Sequence, residues 1–297
     1  MLVIESVDAF LASVATRRKP ATVRQYSGRL AALRKRLGDR DLAALTRRDL
    51  LDFLEAESRF PDGRLKAPDT RRASAVSIEQ WQKWAVESAH LAAPLLERIA
   101  KPRGRERDQL PSPDETRRIL DQGAEDFRQI YRALRLTGAR PGELVAATIE
   151  QIDRRAGEIV LVDHKTAGKT AKPRRIAIGH PALEEILRAE IGDRTSGPIF
   201  RRSSGRPWTV PALSTAYRSA RRAAGLPEGL VLYLARHEHA TQLYRQLKDL
   251  KAVADALGHS QLATTMRYTR VESETLKQNQ KLFDEGLGAD PPAPPPG

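Results

Sequence analysis

The clearest hydrophobic pattern in the first hundred residues is Val23, Tyr26, Leu30, Leu33 and Leu37, spaced by steps of three and four. That spacing places all five on one face of a helix. Pro20 before the pattern and Gly38 after it act as start and stop signals. A second helix is expected from near Thr46, through Leu50, Leu51, Phe53 and Leu54. Thr46-Arg47-Arg48-Asp49 has the form of a capping box, with Asp in place of the usual Glu. Phe60-Pro61-Asp62-Gly63 reads as a turn. A third helical region, roughly Asp69 to Ala89, sets Trp81 and Trp84 at helical spacing, and both read as core rather than as base-stacking groups.

The pattern then breaks. Ile99 to Pro113 has no periodicity, carries the basic run Lys101-Pro102-Arg103-Gly104-Arg105, and reads as a linker able to follow a duplex backbone. Beyond it the pattern is mixed. Ser112-Pro113-Asp114-Glu115 opens a helix with serine as N-cap and proline in the first turn. Phe127, Ile130, Tyr131, Leu134 and Leu136 predict another, ending at Gly138. Gly157 to Val162 reads as a strand and Arg174 to Ile178 as its partner, with a loop over 164–173 between them. Further helices are expected over Pro211 to Ala224, Ala235 to Lys248, Leu250 to Leu257 and around Val271 to Phe283. The tail from Pro291 is proline-rich and reads as disordered. The fold class expected is mainly α with a small β-sheet (α+β).

Charge adds a partner to this outline. The net charge is +13 and the 51 Lys and Arg outnumber the 38 Asp and Glu. Such an excess favours a polyanion, because each cation set near a phosphate releases a condensed counterion. It is concentrated early: Arg17 to Arg48 holds eleven Lys or Arg against two acids, Asp39 and Asp41. Arg24, Arg29, Arg34, Lys35 and Arg36 fall on the polar face of the first predicted helix, which reads as a phosphate-facing surface. With no cysteine, disulfides, thiol catalysis and cysteine-ligated zinc are excluded. No apolar run approaches membrane-spanning length, and Met1-Leu2-Val3-Ile4-Glu5 lacks a basic region followed by a long apolar stretch. The expected location is cytoplasmic, with access to the nucleoid.

Candidate chemistry lies in the second half. Arg140 sits in Thr137-Gly138-Ala139-Arg140-Pro141-Gly142-Glu143-Leu144. Its guanidinium can hold two nonbridging phosphate oxygens, and Glu143 can orient it or cap the turn. Lys165 stands at the strand-to-loop junction, where a mobile ammonium beside other cations suits a proton donor. Lys169 and Lys172 share that loop and compete for the role. Arg236 lies in Tyr233-Leu234-Ala235-Arg236-His237-Glu238-His239. His237, Glu238 and His239 do not form a metal-binding spacing, since alternate helical positions do not share a face. His259 follows Gly258, which can end a helix in the left-handed conformation, and Ser260 can cap the next helix. Tyr268 stands nine residues after His259.

The ordered set Arg140, Lys165, Arg236, His259 and Tyr268, in these settings, resembles the tyrosine recombinase (phage integrase) family over nearly the whole chain. The family's first catalytic arginine maps onto Arg140 through the Thr-Gly-x-Arg-x-x-Glu-Leu pattern, and its hairpin lysine onto Lys165. Tyr233 replaces the first histidine of the family's His-x-x-Arg-His. A phenol can hydrogen-bond a phosphate oxygen but is a poor base near neutrality.

The resemblance implies a helical core-binding domain (1–98), a basic linker (99–110), a catalytic domain (111–285) and a proline-rich tail (286–297). It implies that double-stranded DNA is cut and rejoined through a 3′-phosphotyrosyl bond with neither metal nor other cofactor. It implies four protomers at two sites, with an accessory DNA-bending protein as a further partner. The helix after Tyr268, with Leu276, Leu282 and Phe283, would dock on a neighbouring protomer or pack on its own domain. Two alternatives stand beside this reading: a type IB topoisomerase, which would relax DNA without site preference, and a degenerate protein that binds without cleaving.

Overall fold

Val3, Val7, Phe10 and Val14 recur at helical spacing and are all buried in the first helix, α1 (Val3–Ala15). The computed structural model describes residues 1–104, 110–162, 173–259 and 261–266. The chain divides into two compact units, Met1–Glu106 and Arg107–Gly297, with the division inside the segment read as a linker.

In the first unit α1 packs with α2 (Pro20–Leu37), α3 (Arg47–Glu57) and α4 (Pro68–Glu87). Leu30 and Leu33 of the predicted α2 stripe are fully buried, and Val23, Tyr26 and Leu37 pack at the margin. Trp81 is fully buried and its indole N–H donates to Ser6 Oγ at 3.2 Å. Trp84 lies against Phe10 at 5.9 Å between ring centroids, so both tryptophans serve the core. The capping box at Thr46 forms as the sequence suggests: Asp49 Oδ2 accepts from Thr46 N–H at 2.8 Å, and Thr46 Oγ1 accepts from Asp49 N–H at 3.3 Å. Arg40 beside Asp49, together with Thr46, holds that carboxyl well below the usual carboxylate range.

Two details refine the sequence reading of this unit. Arg34, Arg40 and Arg48 of the basic run face acids, Asp8, Asp49 and Asp52, so the exposed cations of α2 are Arg24, Lys35 and Arg36. The early linker is docked on the first core. Ile99 is buried there, Lys101 pairs with Glu79 at 2.6 Å, and the Gln82 amide grips the Leu96 backbone at 2.6 and 3.2 Å.

The second unit begins with α5 (Pro113–Asp121), α6 (Glu125–Thr137) and the short α7 (Pro141–Ala146). Ser112 caps α5: its Oγ accepts from Glu115 N–H at 3.1 Å while the Glu115 carboxylate accepts from Ser112 N–H at 2.8 Å. Ser112→Ala is expected to lower stability by about 1 kcal/mol, the usual loss for such a cap, read as a shift in the urea midpoint at unchanged slope.

A three-stranded antiparallel sheet follows in the order β1 (Ile152–Asp153), β2 (Glu158–Leu161) and β3 (Arg174–Ala177). Ile159 pairs with Ile176, and Leu161 with Arg174. Then come α8 (Pro181–Ile191), α9 (Val210–Ala223), α10 (Leu234–Leu247) and α11 (Leu250–Leu257). Helix α6 lies at the centre of this unit, packed against both α8 and α10. The unit's core joins Phe127, Ile130, Tyr131 and Leu134 of α6 to Ile159, Ile176, Leu183, Leu187 and Leu213. Trp208, the tryptophan of this unit, is buried in the same core, with Arg202 over its ring.

The mainly α architecture with one small sheet is the fold class expected. Two helices, α1 and α8, were not anticipated as separate elements. The helix expected around 271–283, the loop over 164–173 save its last residue, and the proline-rich tail lie outside the described residues. Among the described residues no helix is long and apolar enough to cross a membrane.

Candidate active site

The site is assembled from the ends of helices in the second unit. Helix α6 closes at Gly138 with φ +60°, the left-handed conformation that favours glycine. A Cβ there would also collide with the His239 ring, so both backbone and space require glycine. Two residues after Gly138, Arg140 stands at the N-cap of α7 ahead of Pro141. Glu143 does both jobs foreseen for it. Its carboxylate accepts from Arg140 N–H at 2.9 Å and from Arg140 Nη1 at 2.6 Å. Burial alone would raise this carboxyl. The hydrogen bonds and charge of Arg140, with the charge of Arg174, outweigh it and hold Glu143 below its ordinary value. The acid therefore stays ionised and the Arg140 fork is aimed from one side.

Arg236 is the centre of the arrangement. It sits in the first turn of α10 and is 1% exposed. Its Nη1 donates to Gly138 O at 2.7 Å and its Nη2 to Leu257 O at 2.7 Å. One guanidinium thus ties the turn before Arg140 to the end of α11. Helix α11 closes at Gly258, again left-handed with φ +66°, and His259 follows at once. His259 N–H donates to Ala254 O at 2.8 Å, and the ring Nδ1 lies 2.8 Å from Thr265 Oγ1. Thr265 is fully buried, which places the His259 ring against the segment that leads to Tyr268.

The support beneath Arg236 is polar and closed. Arg135 of α6 forms a two-pronged pair with Glu238 of α10, at 3.0 and 2.5 Å. His239 Nδ1 lies 3.0 Å from Arg135 O. A carbonyl only accepts, so Nδ1 carries the proton in this pair. Burial pushes the His239 imidazole below its ordinary value, and the charges of Arg236 and Arg174 add to this against the Arg135 carbonyl and Glu238. His239 therefore folds neutral. As pH falls below about 6.5, the unfolded chain takes up a proton that the folded site resists, and this part of the stability is lost. His239→Gln is expected to narrow its stability gap from wild type between pH 7.5 and pH 5.5; a gap that widens on acidification would contradict the neutral assignment.

Tyr233 stands just before α10, 41% exposed, with its ring edge-on to His237 at 5.3 Å between centroids. With Pro141, Arg218 and Arg222 it borders an open groove of about 710 Å³. Buried Arg221 supports the same wall, donating to Glu228 O at 2.8 Å in the loop that precedes Tyr233. Two other tyrosines are disqualified by burial. Tyr131 stacks on Phe127 in the core and Tyr217 meets the same ring edge-on, and burial pushes both phenols up, Tyr217 to about 12. Tyr26 packs against Phe10 in the first unit.

The structure thus brings Arg140, Arg236 and His259 around one pair of helix ends, with Tyr233 at the N-cap of the helix that carries Arg236. Lys165, Lys169 and Lys172, together with Ser260 and Tyr268, lie outside the described residues. Sequence reasoning missed two members, Arg174 and Thr265. Arg174 is 5% exposed, its Nε is 3.8 Å from Glu143 Oε2, and its Nη1 donates to Arg175 O at 2.6 Å. Burial, and the charges of Arg236 and Arg140, lower its guanidinium to about 10 against the pull of Glu143. A signal was present: strand alternation puts Arg174 on the inward face with Ile176.

Comparison with solved structures extends these observations. The chain shares its fold with a lambda integrase fragment (residues 75–356) in a dimer bound to a COC' core site. The TM-score is 0.72 at 20% identity, covering 89% of this chain and 97% of that one. It is similar also to a Tn1549 transposon integrase bound to circular intermediate DNA, with TM-score 0.69 and 16% identity over 93% and 98% of the two chains. These two likenesses show the fold; the class, the tyrosine recombinases, is shown by the family model and the relatives. The chain belongs to the phage integrase family, whose model matches residues 112–275. Among relatives, a tyrosine recombinase XerC of Methylobacterium sp. (strain 4-46) is 30% identical over 296 residues, covering 92% of this chain and 90% of its own. Another XerC, from Shewanella amazonensis, is 27% identical over 306 residues, covering 97% and 96%. The protein is a tyrosine-type site-specific recombinase, and these likenesses lend nothing to the topoisomerase alternative.

Proposed function

We propose that the chain cuts and rejoins double-stranded DNA by attack of Tyr268 on a phosphodiester. The observation that carries this reading is the Arg236 fork, which holds the turn before Arg140 and the turn before His259 in one place. Arg140, Arg236 and the His259 ring then surround one nonbridging pair of phosphate oxygens, where charge grows in the transition state. The Tyr268 phenol gives up its proton to solvent as its oxygen bonds to phosphorus and the bond to the 5′ oxygen breaks, and Lys165 supplies the proton that the departing oxygen needs and is reprotonated from solvent. One phosphodiester is exchanged for another, so no external energy source enters. Tyr233 adds a hydrogen bond.

The exposed cations of α2 follow the duplex backbone, and salt dependence of binding is the consequence. Four protomers working at two sites, with an accessory DNA-bending protein, complete the reaction in the cytoplasm at the nucleoid. The domains fall at 1–98, 99–110 and 111–285. The test is a nicked suicide duplex, which traps the covalent intermediate by releasing a short strand. Purified protein with duplexes drawn from its gene's flanks should give a slow-migrating band on a denaturing gel. Binding without that band on every duplex that is bound would favour a degenerate DNA-binding protein.

A further inference from the structure

We propose that Arg174 is a positioning residue of the cleavage site, bracing the Gly258 turn that presents His259 against the Glu143 carboxylate that holds Arg140. The proposal rests on the recombinase reading and adds a residue to it. Arg174 opens β3 at an inward register position, opposite Leu161, where a strand ordinarily buries an aliphatic side chain. Its stem lies on the Gly258 backbone: a Cβ at Gly258 would come within 2.7 Å of Arg174 Cδ and 3.0 Å of its Nε. Its head is within ion-pair range of Glu143, at 3.8 Å. One side chain therefore touches both halves of the site that Arg236 also joins.

The placement is poor for stability. An arginine buried to 5% exposure loses its hydration, and its partner Glu143 already accepts its close hydrogen bonds from Arg140. Among the described residues, Arg174 Nε and Nη2 have no hydrogen-bond partner. An apolar side chain of equal length often serves the fold as well as such an ion pair. What an apolar residue cannot do is divide the Glu143 charge between two arginines and press a rigid planar group on the Gly258 turn. With Arg174 absent, Glu143 would be left to Arg140 alone, and the turn before His259 would lose its backing.

The test uses the full chain carrying Arg174→Met or Arg174→Lys. Single-turnover adduct formation on saturating suicide duplex is expected to fall about tenfold to hundredfold in Arg174→Met, the range for a displaced reacting group, with DNA affinity nearly unchanged. The melting temperature should not fall with it. Arg174→Lys keeps the charge near Glu143 and the stem on Gly258, and should recover part of the rate. The ring nitrogen signals of His259, recorded without DNA, should move in Arg174→Met.

Adduct formation by Arg174→Met at the wild-type rate, or His259 signals that stay in place, would overturn the proposal. A loss of rate matched by a loss of melting temperature, unrescued by lysine, would do the same by reducing the residue to a packing role. Should Arg174→Met fail to fold, the lysine variant carries both readouts, and wild-type values in it overturn the proposal. If wild type forms no adduct, the cleavage reading fails by itself, and the His259 signals then decide Arg174.

Discussion

Tyr268→Phe is expected to abolish the covalent adduct on suicide duplexes while leaving DNA affinity close to that of wild type. The change removes one oxygen and no charge, so the cations that bind the backbone are untouched. Its specificity comes from what burial does to the alternatives. Tyr131 and Tyr217 are held in the core with phenols pushed up, and Tyr26 packs within the first unit. Tyr233 competes, since it is exposed at the start of α10, the helix that carries Arg236. The decisive comparison is therefore Tyr268→Phe beside Tyr233→Phe on the same gel. Adduct surviving in Tyr268→Phe and vanishing in Tyr233→Phe would move the nucleophile to the head of α10.

Arg236→Lys is expected to lower the rate of adduct formation by about 10²–10³-fold, the loss typical of removing one preorganised donor from a charge-stabilising site. The substitution keeps the charge and removes the fork. A single ammonium cannot reach both Gly138 O and Leu257 O from the Arg236 position with the geometry the guanidinium has. One buried carbonyl is left unsatisfied, at a cost of about 1–3 kcal/mol to the fold. Rate and stability should thus fall together here, unlike at Arg174. A lysine variant that cleaves at the wild-type rate would show that Arg236 only braces the turns.

Much of this architecture was legible because caps and periodicities are local. Thr46 and Ser112 announced their helices through reciprocal side-chain bonds, and Gly138 and Gly258 marked helix ends where the backbone turns left-handed. The positions of Arg140, Arg236 and His259 at helix ends could be read from their settings in the chain. Helix α1 was less visible, although its Val3, Val7, Phe10 and Val14 stripe is regular, because no breaker sets off its start at the chain terminus. Helix α8 hid behind a histidine N-cap, His180, which is not among the usual signals.

The two missed site members owe their roles to contacts that no local pattern announces. Arg174 reads as one more cation beside Arg175, and only the strand register separates the buried guanidinium from the exposed one. Arg175 pairs with Glu158 at the surface. Thr265 is an ordinary threonine until the His259 ring meets it across six residues.

The distribution of tryptophans gives the two units separate optical signatures. Trp81 and Trp84 belong to the first core and Trp208 to the second. With Trp81 and Trp84 replaced by phenylalanine, indole emission would come from the second unit alone. Its red shift in denaturant would time the opening of the arginine-bearing unit, while far-ultraviolet dichroism followed the helices of both. Coincident transitions would mean that the units unfold cooperatively, and separated ones that each is its own folding unit.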